Sequence, residues 1–451
     1  MSSSKIFRAN DVRGIYPSEI NEQIVYEIAG SIKKLFKTVV VGHDARLSSP
    51  SLYEAVIEAL KGKEVFEAGL ITSPEMYFLV NELKADGGIM ITASHNPKEY
   101  NGLKIMGKNA VPMSGKDVGA ICHSALDAES SNLDPRVSLC SPEDDKKNKY
   151  EIAKNVYLEL YVDFLKKHLN VKKPLRIVFD ASNGVAGVVL KELFKGDKNI
   201  EAIFINSEPD GNFPGHGPNP LKEGALSQLQ NEVKKQKADL GIVFDGDGDR
   251  VFFVDDKGSH IDPDIIGFIL TETFKPPYVA TTISSWRAKK AKKTVISKVG
   301  HLFMKLAMRE NKANAGMERS GHYYFKDFFY CDSGIFAAIQ VINFLSSLDK
   351  SISEYAEGLP KYYQISETNF EMKNEKWAEE KMAQAEKLYG KSALSVKKED
   401  GLLVEFGSPA GEWWFSLRVS NSEYLLRLNM EATSKNLLDE KLEELQKFLA
   451  D

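Results

Sequence analysis

The sequence predicts an α/β protein built from repeated strand–turn–helix units, closed by a C-terminal α+β domain. Three observations carry this. Short β-branched runs end in turns rich in Asp, Gly and Asn along the first two thirds of the chain. Residues at helical spacing follow such a turn, as parallel βαβ units require. The end of the chain reads as strand and then one amphipathic helix, which is α+β order.

The elements follow in sequence. Val39, Val40 and Val41 form a strand that ends at Gly42-His43-Asp44. A helix is expected next, with Ser49 as cap and Pro50 in its first turn; Tyr53, Val56, Ile57 and Leu60 recur along it and Gly62 closes it. Ile89, Met90 and Ile91 form a buried strand running into Thr92-Ala93-Ser94-His95-Asn96-Pro97. From Cys122 to Lys149 the chain is rich in Ser, Asp and Lys and reads as an exposed connector. Ile177, Val178 and Phe179 then lead to an Asp/Gly turn, as do Ile242, Val243 and Phe244. The strings LRIVFDASNG and LGIVFDGDGD look alike and hint at repeated modules. Glu412 to Met430 is strand-like, and Leu438, Leu442, Leu445 and Leu449 mark the final helix. Composition shifts place domains at 1–148, 149–258, 259–360 and 361–451.

Composition narrows the function. The 451 residues carry 59 basic and 64 acidic side chains, a net charge of −5, with 43% hydrophobic and 27% charged residues. These values exclude disorder as the main state, and a mild acidic balance argues against general nucleic-acid binding. Cys122, Cys140 and Cys331 lie far apart and form no CxxC pair. The N-terminal MSSSKIFRANDVRG has no apolar run of the signal-peptide kind, and no stretch approaches the ~18 apolar residues of a membrane span. A cytoplasmic enzyme without membrane or nucleic-acid partners is the expectation; monomer and homo-oligomer both stay open.

Four motifs carry chemistry. In DGDGDR, Asp245, Asp247 and Asp249 alternate with glycines after an apolar strand. Three converging carboxylates tolerate one another when a cation lies between them, and hard oxygen donors with room for phosphate favour Mg²⁺. The bland alternative is a surface turn. In TASHNP, Ser94 stands on a turn at a strand end, as a nucleophile or phosphoryl acceptor would; on its own it would more simply cap a helix. In GMERSGHYYF, Glu318, Ser320 and His322 alternate and so could share one face suited to sugar hydroxyls. In RVSNSEYLLR, Arg418, Ser420, Asn421 and Ser422 join a guanidinium, hydroxyls, an amide and backbone N–H groups, a combination that suits a phosphate monoester. The last two could equally be solvated loops. The basic run Arg287–Lys293 reads as a solvated helix face, and Trp413 and Trp414 as strand core and edge.

Together with IFRANDVRGIY, VGHDARLSS, DGNFPGHGPNP and KVGH, these motifs resemble the α-D-phosphohexomutase superfamily, nearest to its phosphomannomutase/phosphoglucomutase type, over essentially the whole chain. The resemblance implies three mixed α/β domains with parallel-rich sheets and a C-terminal α+β domain around a central cleft. It implies interconversion of hexose 1- and 6-phosphates, of mannose or glucose, through a phosphoserine at Ser94 and a hexose 1,6-bisphosphate. It implies Mg²⁺ held by Ser94, Asp245, Asp247 and Asp249; Glu318 and Ser320 reading sugar hydroxyls; and Arg418, Ser420, Asn421 and Ser422 gripping the phosphate not in transfer. Arg13, Lys104, Arg250 and His301 match positions lining the cleft, and His322 matches the closing histidine of the sugar-reading loop. Lys104 and His322 are the proton-transfer candidates, the lysine with a pKa lowered by crowding with cations and metal. The fourth domain is expected to rotate over the cleft. Departures are Met317 in place of a glycine, Asn10 in place of an aromatic, Ser422 for Thr, Tyr424 for Pro, and Ser284 and Ser285 near the place of a cleft lysine. The competing readings are a phosphoglucosamine mutase, a haloacid-dehalogenase-type phosphatase using Asp245 as nucleophile, and a non-catalytic sugar-phosphate-binding protein.

Overall fold

The structure, a computed structural model, describes residues 4–128, 156–408, 411–420 and 424–450. Four sheets organise them, and the first three share one plan: three parallel strands, extended by antiparallel strands beyond the third. The first sheet runs Glu64–Leu70, Thr38–His43, Gly87–Ile91, Tyr100–Gly107, Val12–Ile15. The second runs Ile200–Ile205, Leu175–Asp180, Leu240–Phe244, Val251–Asp255, His260–Ile261. The third runs Thr294–Ser297, Tyr278–Thr281, Ala315–Met317, Tyr323–Phe325, Cys331–Asp332. The third strand of the first two sheets, Gly87–Ile91 and Leu240–Phe244, is buried along its whole length, hence the unbroken apolar runs in sequence.

This repeat sharpens the sequence reading. LRIVFDASNG and LGIVFDGDGD are parallel neighbours within one sheet rather than counterparts in separate domains. The true counterparts are the segments after each third strand: TASHNP, DGDGDR and ERSGH. The three chemical motifs of the α/β domains therefore occupy one topological position, at a strand C-terminus where open α/β sheets bind ligands.

The fourth domain is an antiparallel sheet in the order Tyr363–Gln364, Leu425–Ala432, Gly411–Val419, Leu402–Ser408, Ser395–Lys397, with Thr368–Glu371 also paired to Leu425–Ala432. Helices Glu375–Tyr389 and Lys435–Ala450 accompany it; Leu438, Leu445 and Leu449 are buried and Leu442 packs beside them. The expected architecture, three mixed α/β domains and a C-terminal α+β domain, is present. One apolar core runs through the first three domains, and the fourth has its own. Ile283 and Trp286 of the third domain meet Leu403 and Trp414 of the fourth, so Trp414 is core, as is Trp413 at 7% exposure. Among the described residues no helix is long and apolar enough to cross a membrane.

Several local expectations change. The helix after the strand Thr38–His43 is Ser49–Ala59, flanked by Ser48; neither hydroxyl caps it, that of Ser49 donating to Asp44 Oδ1 at 2.6 Å and that of Ser48 accepting from Asn101 Nδ2 at 2.8 Å. Gly62 lies beyond its end with φ 87° in the following turn. The expected connector begins as helix: Gly115–Ala128 buries Cys122 beside Val118 in the first domain's core, and 129–149, with Cys140, lies outside the described residues. The basic run is a solvated face only in part: Lys290, Lys292 and Lys293 are exposed, whereas Lys289 is turned inward. The Lys289 ammonium stands 3.8 Å from the centre of the Trp414 ring at the interface of the third and fourth domains, and burial pushes it down to about 8.

Candidate active site

Ser94 stands where the third strand of the first sheet ends. Its φ is 51°, a left-handed conformation that a non-glycine residue adopts at a cost, and it is 2% exposed. Arg46 holds the loop in this shape. Its guanidinium donates to the carbonyls of Ser94 and Asn96 at 2.7 Å each, Pro97 at 2.7 Å and Tyr100 at 3.0 Å, and to Asp44 Oδ2 at 3.0 Å. Thr92 Oγ1 donates to Asp44 Oδ2 at 2.7 Å and accepts from Ser94 N at 2.8 Å. The Ser94 hydroxyl itself donates to Asp245 Oδ2 at 2.9 Å.

The second domain brings the carboxylates. Asp245, Asp247 and Asp249 each place an oxygen within 4.8 Å of the others, all buried. Glycine makes the approach sterically accessible: a Cβ on Gly246 would stand 2.8 Å from the Ser94 carbonyl oxygen, and Gly248 turns with φ 75°. Burial and the charges of Asp249 and Asp247 push Asp245 well above the usual carboxylate range. Burial acts on Asp249 in the same direction, but Lys104 and His322 outweigh it and hold that carboxyl well down. Asp247 Oδ1 is buried without a hydrogen-bond donor among the described residues. An all-oxygen donor set with one carboxylate destabilised in its charged form and an oxygen left unsatisfied fits a small hard divalent cation.

Lys104 corrects the sequence reading. Its ammonium lies 2.6 Å from Asp247 Oδ2 and 2.5 Å from Asp249 Oδ2, and although burial opposes it, these two carboxylates raise its pKa rather than lower it. Ser73 also donates to Asp247 Oδ2, at 2.5 Å.

The third domain supplies the remaining wall. Glu318, Ser320 and His322 do converge, through a tight turn and not by strand alternation. Gly321, with φ 85°, packs where a Cβ would stand 2.5 Å from the Phe252 ring. Ser320 Oγ lies 3.1 Å from His322 Nδ1, and His322 Nε2 lies 3.3 Å from Asp249 Oδ1. Glu318 Oε1 accepts from Gly300 N at 2.9 Å and Oε2 from Tyr324 Oη at 2.5 Å. His301 opens the next helix, its ring 6.3 Å from that of His322; burial and then Lys305 push its pKa well below the usual value. Arg13 donates to Asn96 Oδ1 at 2.6 Å and pairs with Asp11. Arg250 Nε is 3.9 Å from Asp245 Oδ2.

From the fourth domain come Arg418 and Ser420, 7% and 8% exposed; Asn421 and Ser422 lie outside the described residues. Burial pulls the Arg418 guanidinium down against the opposing charges of Asp400, Glu367 and, across the domain boundary, Glu318.

Two departures are explained. Met317 packs into the third domain's interior, where Gly267 leaves room: a Cβ there would stand 3.0 Å from Met317 Sδ. Ser284 and Ser285 are fully buried; the first bonds Thr281, and the second bonds Arg287 N and, through its own N–H, Asp264. Missed in sequence were Asp44, Arg46, Ser73, Lys305 and Asp332. Lys305 and Asp332 form a buried pair at 2.8 Å, with Asp332 Oδ2 3.7 Å from His322 Nε2. Asp44 and Arg46 stood in a strand-end turn and were readable there; the others carried no local signal.

A strained serine hydroxyl set against massed carboxylates, with cations and an imidazole supplied from other domains, defines a phosphotransferase. Comparison with known proteins makes this specific. Family models for phosphoglucomutase/phosphomannomutase alpha/beta/alpha domains I, II and III match residues 4–132, 159–258 and 262–363. A phosphomannomutase of Vibrio cholerae is 36% identical over 477 residues, spanning 100% of this chain and 99% of its own. One from Methanocaldococcus jannaschii is 34% identical, spanning 99% and 97%. A crystal structure of a phosphoglucomutase/phosphomannomutase family protein from Burkholderia thailandensis superposes with a TM-score of 0.84 at 27% identity, covering 100% of this chain and 98% of that one. The chain belongs to the phosphoglucomutase/phosphomannomutase family; it is a phosphohexomutase.

Proposed function

We propose that the enzyme interconverts the 1- and 6-phosphates of mannose or glucose, with Ser94 as phosphoryl carrier. The observation that carries this is the Ser94 hydroxyl at 2.9 Å from Asp245, on the one face where three carboxylates, Lys104 and His322 meet. In the phosphorylated enzyme the P–Oγ bond of Ser94 breaks as the free sugar hydroxyl bonds to phosphorus, so that one proton leaves the sugar hydroxyl and one is gained by the departing Oγ, which becomes the Ser94 hydroxyl. His322 takes that hydroxyl's proton, since its ring lies between Asp249 and the hydroxyl-reading Glu318 and Ser320. The hexose 1,6-bisphosphate then turns end for end. Its other phosphoryl group returns to Ser94, whose hydroxyl gives up its proton as the Oγ–P bond forms, and His322 returns a proton to the departing sugar oxygen. Lys104 stays an ammonium, and with Arg250 it balances charge on the transferring group.

Asp245, Asp247, Asp249 and Ser94 would hold Mg²⁺, which when bound supplies positive charge for the phosphoryl oxygens. Glu318 and Ser320 read sugar hydroxyls, and Arg13 and His301 line the cleft. Arg418 and Ser420, with Asn421 and Ser422, anchor the phosphate not in transfer. A coupled assay with Mg²⁺, a bisphosphate activator, and the 1-phosphates of mannose, glucose and glucosamine tests the reading. The expected result is the higher kcat/KM on the mannose or glucose ester; preference for the glucosamine ester overturns the substrate assignment.

A further inference from the structure

We propose that Asp400 is a positioning residue that links the fourth domain's phosphate grip to the third domain's sugar reader. The proposal rests on the assignment of Arg418 and Glu318 to those two tasks. Asp400 lies in the turn between Ser395–Lys397 and Leu402–Ser408 of the fourth domain. Its Oδ2 accepts two hydrogen bonds from the third domain, from Val299 N at 2.9 Å and from Thr282 Oγ1 at 3.1 Å. The next amide along, Gly300 N, donates to Glu318 Oε1 at 2.9 Å. Two consecutive N–H groups of one loop are thus held by two carboxylates, one from each domain. His301 follows directly as the first residue of the helix His301–Glu310, so the loop held by these two carboxylates leads straight into the residue beside His322. Asp400 also bears on Arg418 by charge, and Arg418 feels Glu318 in turn. One carboxylate of the fourth domain therefore holds the loop that bonds Glu318 and bears by charge on the arginine assigned to phosphate. The two domains do not depend on this contact for docking, because Ile283 and Trp286 bury against Leu403 and Trp414 beside it. The role of Asp400 is accordingly registration of the two substrate contacts.

The test uses the full-length enzyme. Asp400→Ala is expected to raise KM for the hexose 1-phosphate about tenfold while kcat changes less than threefold. Asp400→Asn keeps an oxygen that can accept both bonds and is expected to stay within threefold of wild type. Amides 299 and 300 are expected to exchange hydrogen faster in Asp400→Ala alone. Because Asp400 acts through Glu318, adding Asp400→Ala to Glu318→Ala is expected to raise KM less than it does in the wild type. An unchanged KM in Asp400→Ala, beside raised values in Glu318→Ala and Arg418→Ala, overturns the proposal. So does an Asn variant as impaired as the Ala variant, or full additivity in the double variant. If Glu318→Ala and Arg418→Ala themselves leave KM unchanged, the functional assignment beneath the proposal fails instead.

Discussion

Replacing Arg46 with lysine should uncouple the fold of the serine loop from its chemistry. Arg46 is 1% exposed and makes five hydrogen bonds, four of them to carbonyls of residues 94–100 and one to Asp44. A lysine ammonium has three donors on a single nitrogen, so at least two of those five acceptors lose their partner. Each buried acceptor left unpaired costs about 1–3 kcal/mol. Two of them give a loss of at most about 2–6 kcal/mol in the first domain, with the lower half expected because Asp44 Oδ2 keeps Thr92 Oγ1 and Pro97 O keeps Tyr100 N as donors. Ser94 itself stores roughly 1–3 kcal/mol in its left-handed backbone, which Arg46 helps to enforce. With that restraint weakened the loop relaxes, and a misplacement of about 1 Å costs on the order of 10²-fold in turnover. The assay is steady-state kinetics beside a thermal melt on the same preparation. Arg46→Lys is expected to lose about 10²-fold in kcat, to change KM only a few-fold and to melt earlier. A variant that melts earlier yet keeps wild-type kcat would refute the claim that Arg46 shapes the phosphoryl carrier.

Other outcomes follow from the same contacts. Lys104→Met removes an ammonium that pairs with both Asp247 and Asp249, so Mn²⁺ is expected to bind more tightly by calorimetry while turnover falls at least tenfold; weaker Mn²⁺ binding would count against competition for those carboxylates. Gly267→Ala drives a methyl group to within 3.0–3.3 Å of Met317 and is expected to cost about 1–3 kcal/mol, with Met317→Ala in the same chain restoring part of it; no rescue would contradict the packing. Burial raises Asp264 to about 6 from 3.8 against the pull of Arg319, so the folded state binds more protons between about pH 4 and 6 and loses stability as pH rises through that window. Asp264→Asn should therefore raise Tm more at pH 7.5 than at pH 4.5, and equal gains at both would exclude Asp264 as the source.

The fold was legible where local pattern and burial agree. Gly87–Ile91 and Leu240–Phe244 are covered on both faces, so they read as plain apolar runs. The motifs after the third strands were legible because contiguous residues carry their chemistry. What stayed hidden is long-range. Arg46 meets the serine loop from 48 residues away, and Ser73 reaches Asp247 across 174. The likeness of LRIVFDASNG to LGIVFDGDGD suggested two modules because strand-end turns look alike wherever they fall; only pairing shows them to be neighbours. The surroundings of Lys104 were hidden for the same reason. Sequence gives the lysine but not the two carboxylates that a different domain folds against it.

The central claim is that phosphate travels on Ser94, and mass spectrometry addresses it directly. The wild-type enzyme is incubated with Mg²⁺ and a hexose 1,6-bisphosphate, digested and mapped beside Ser94→Ala. One phosphoryl group on the peptide containing Ser94, absent from the variant and passed from the isolated wild-type phosphoenzyme to added hexose 1-phosphate to give hexose 1,6-bisphosphate, is the predicted result. Phosphate carried instead on Asp245, or a Ser94→Ala enzyme with undiminished mutase turnover, would contradict it.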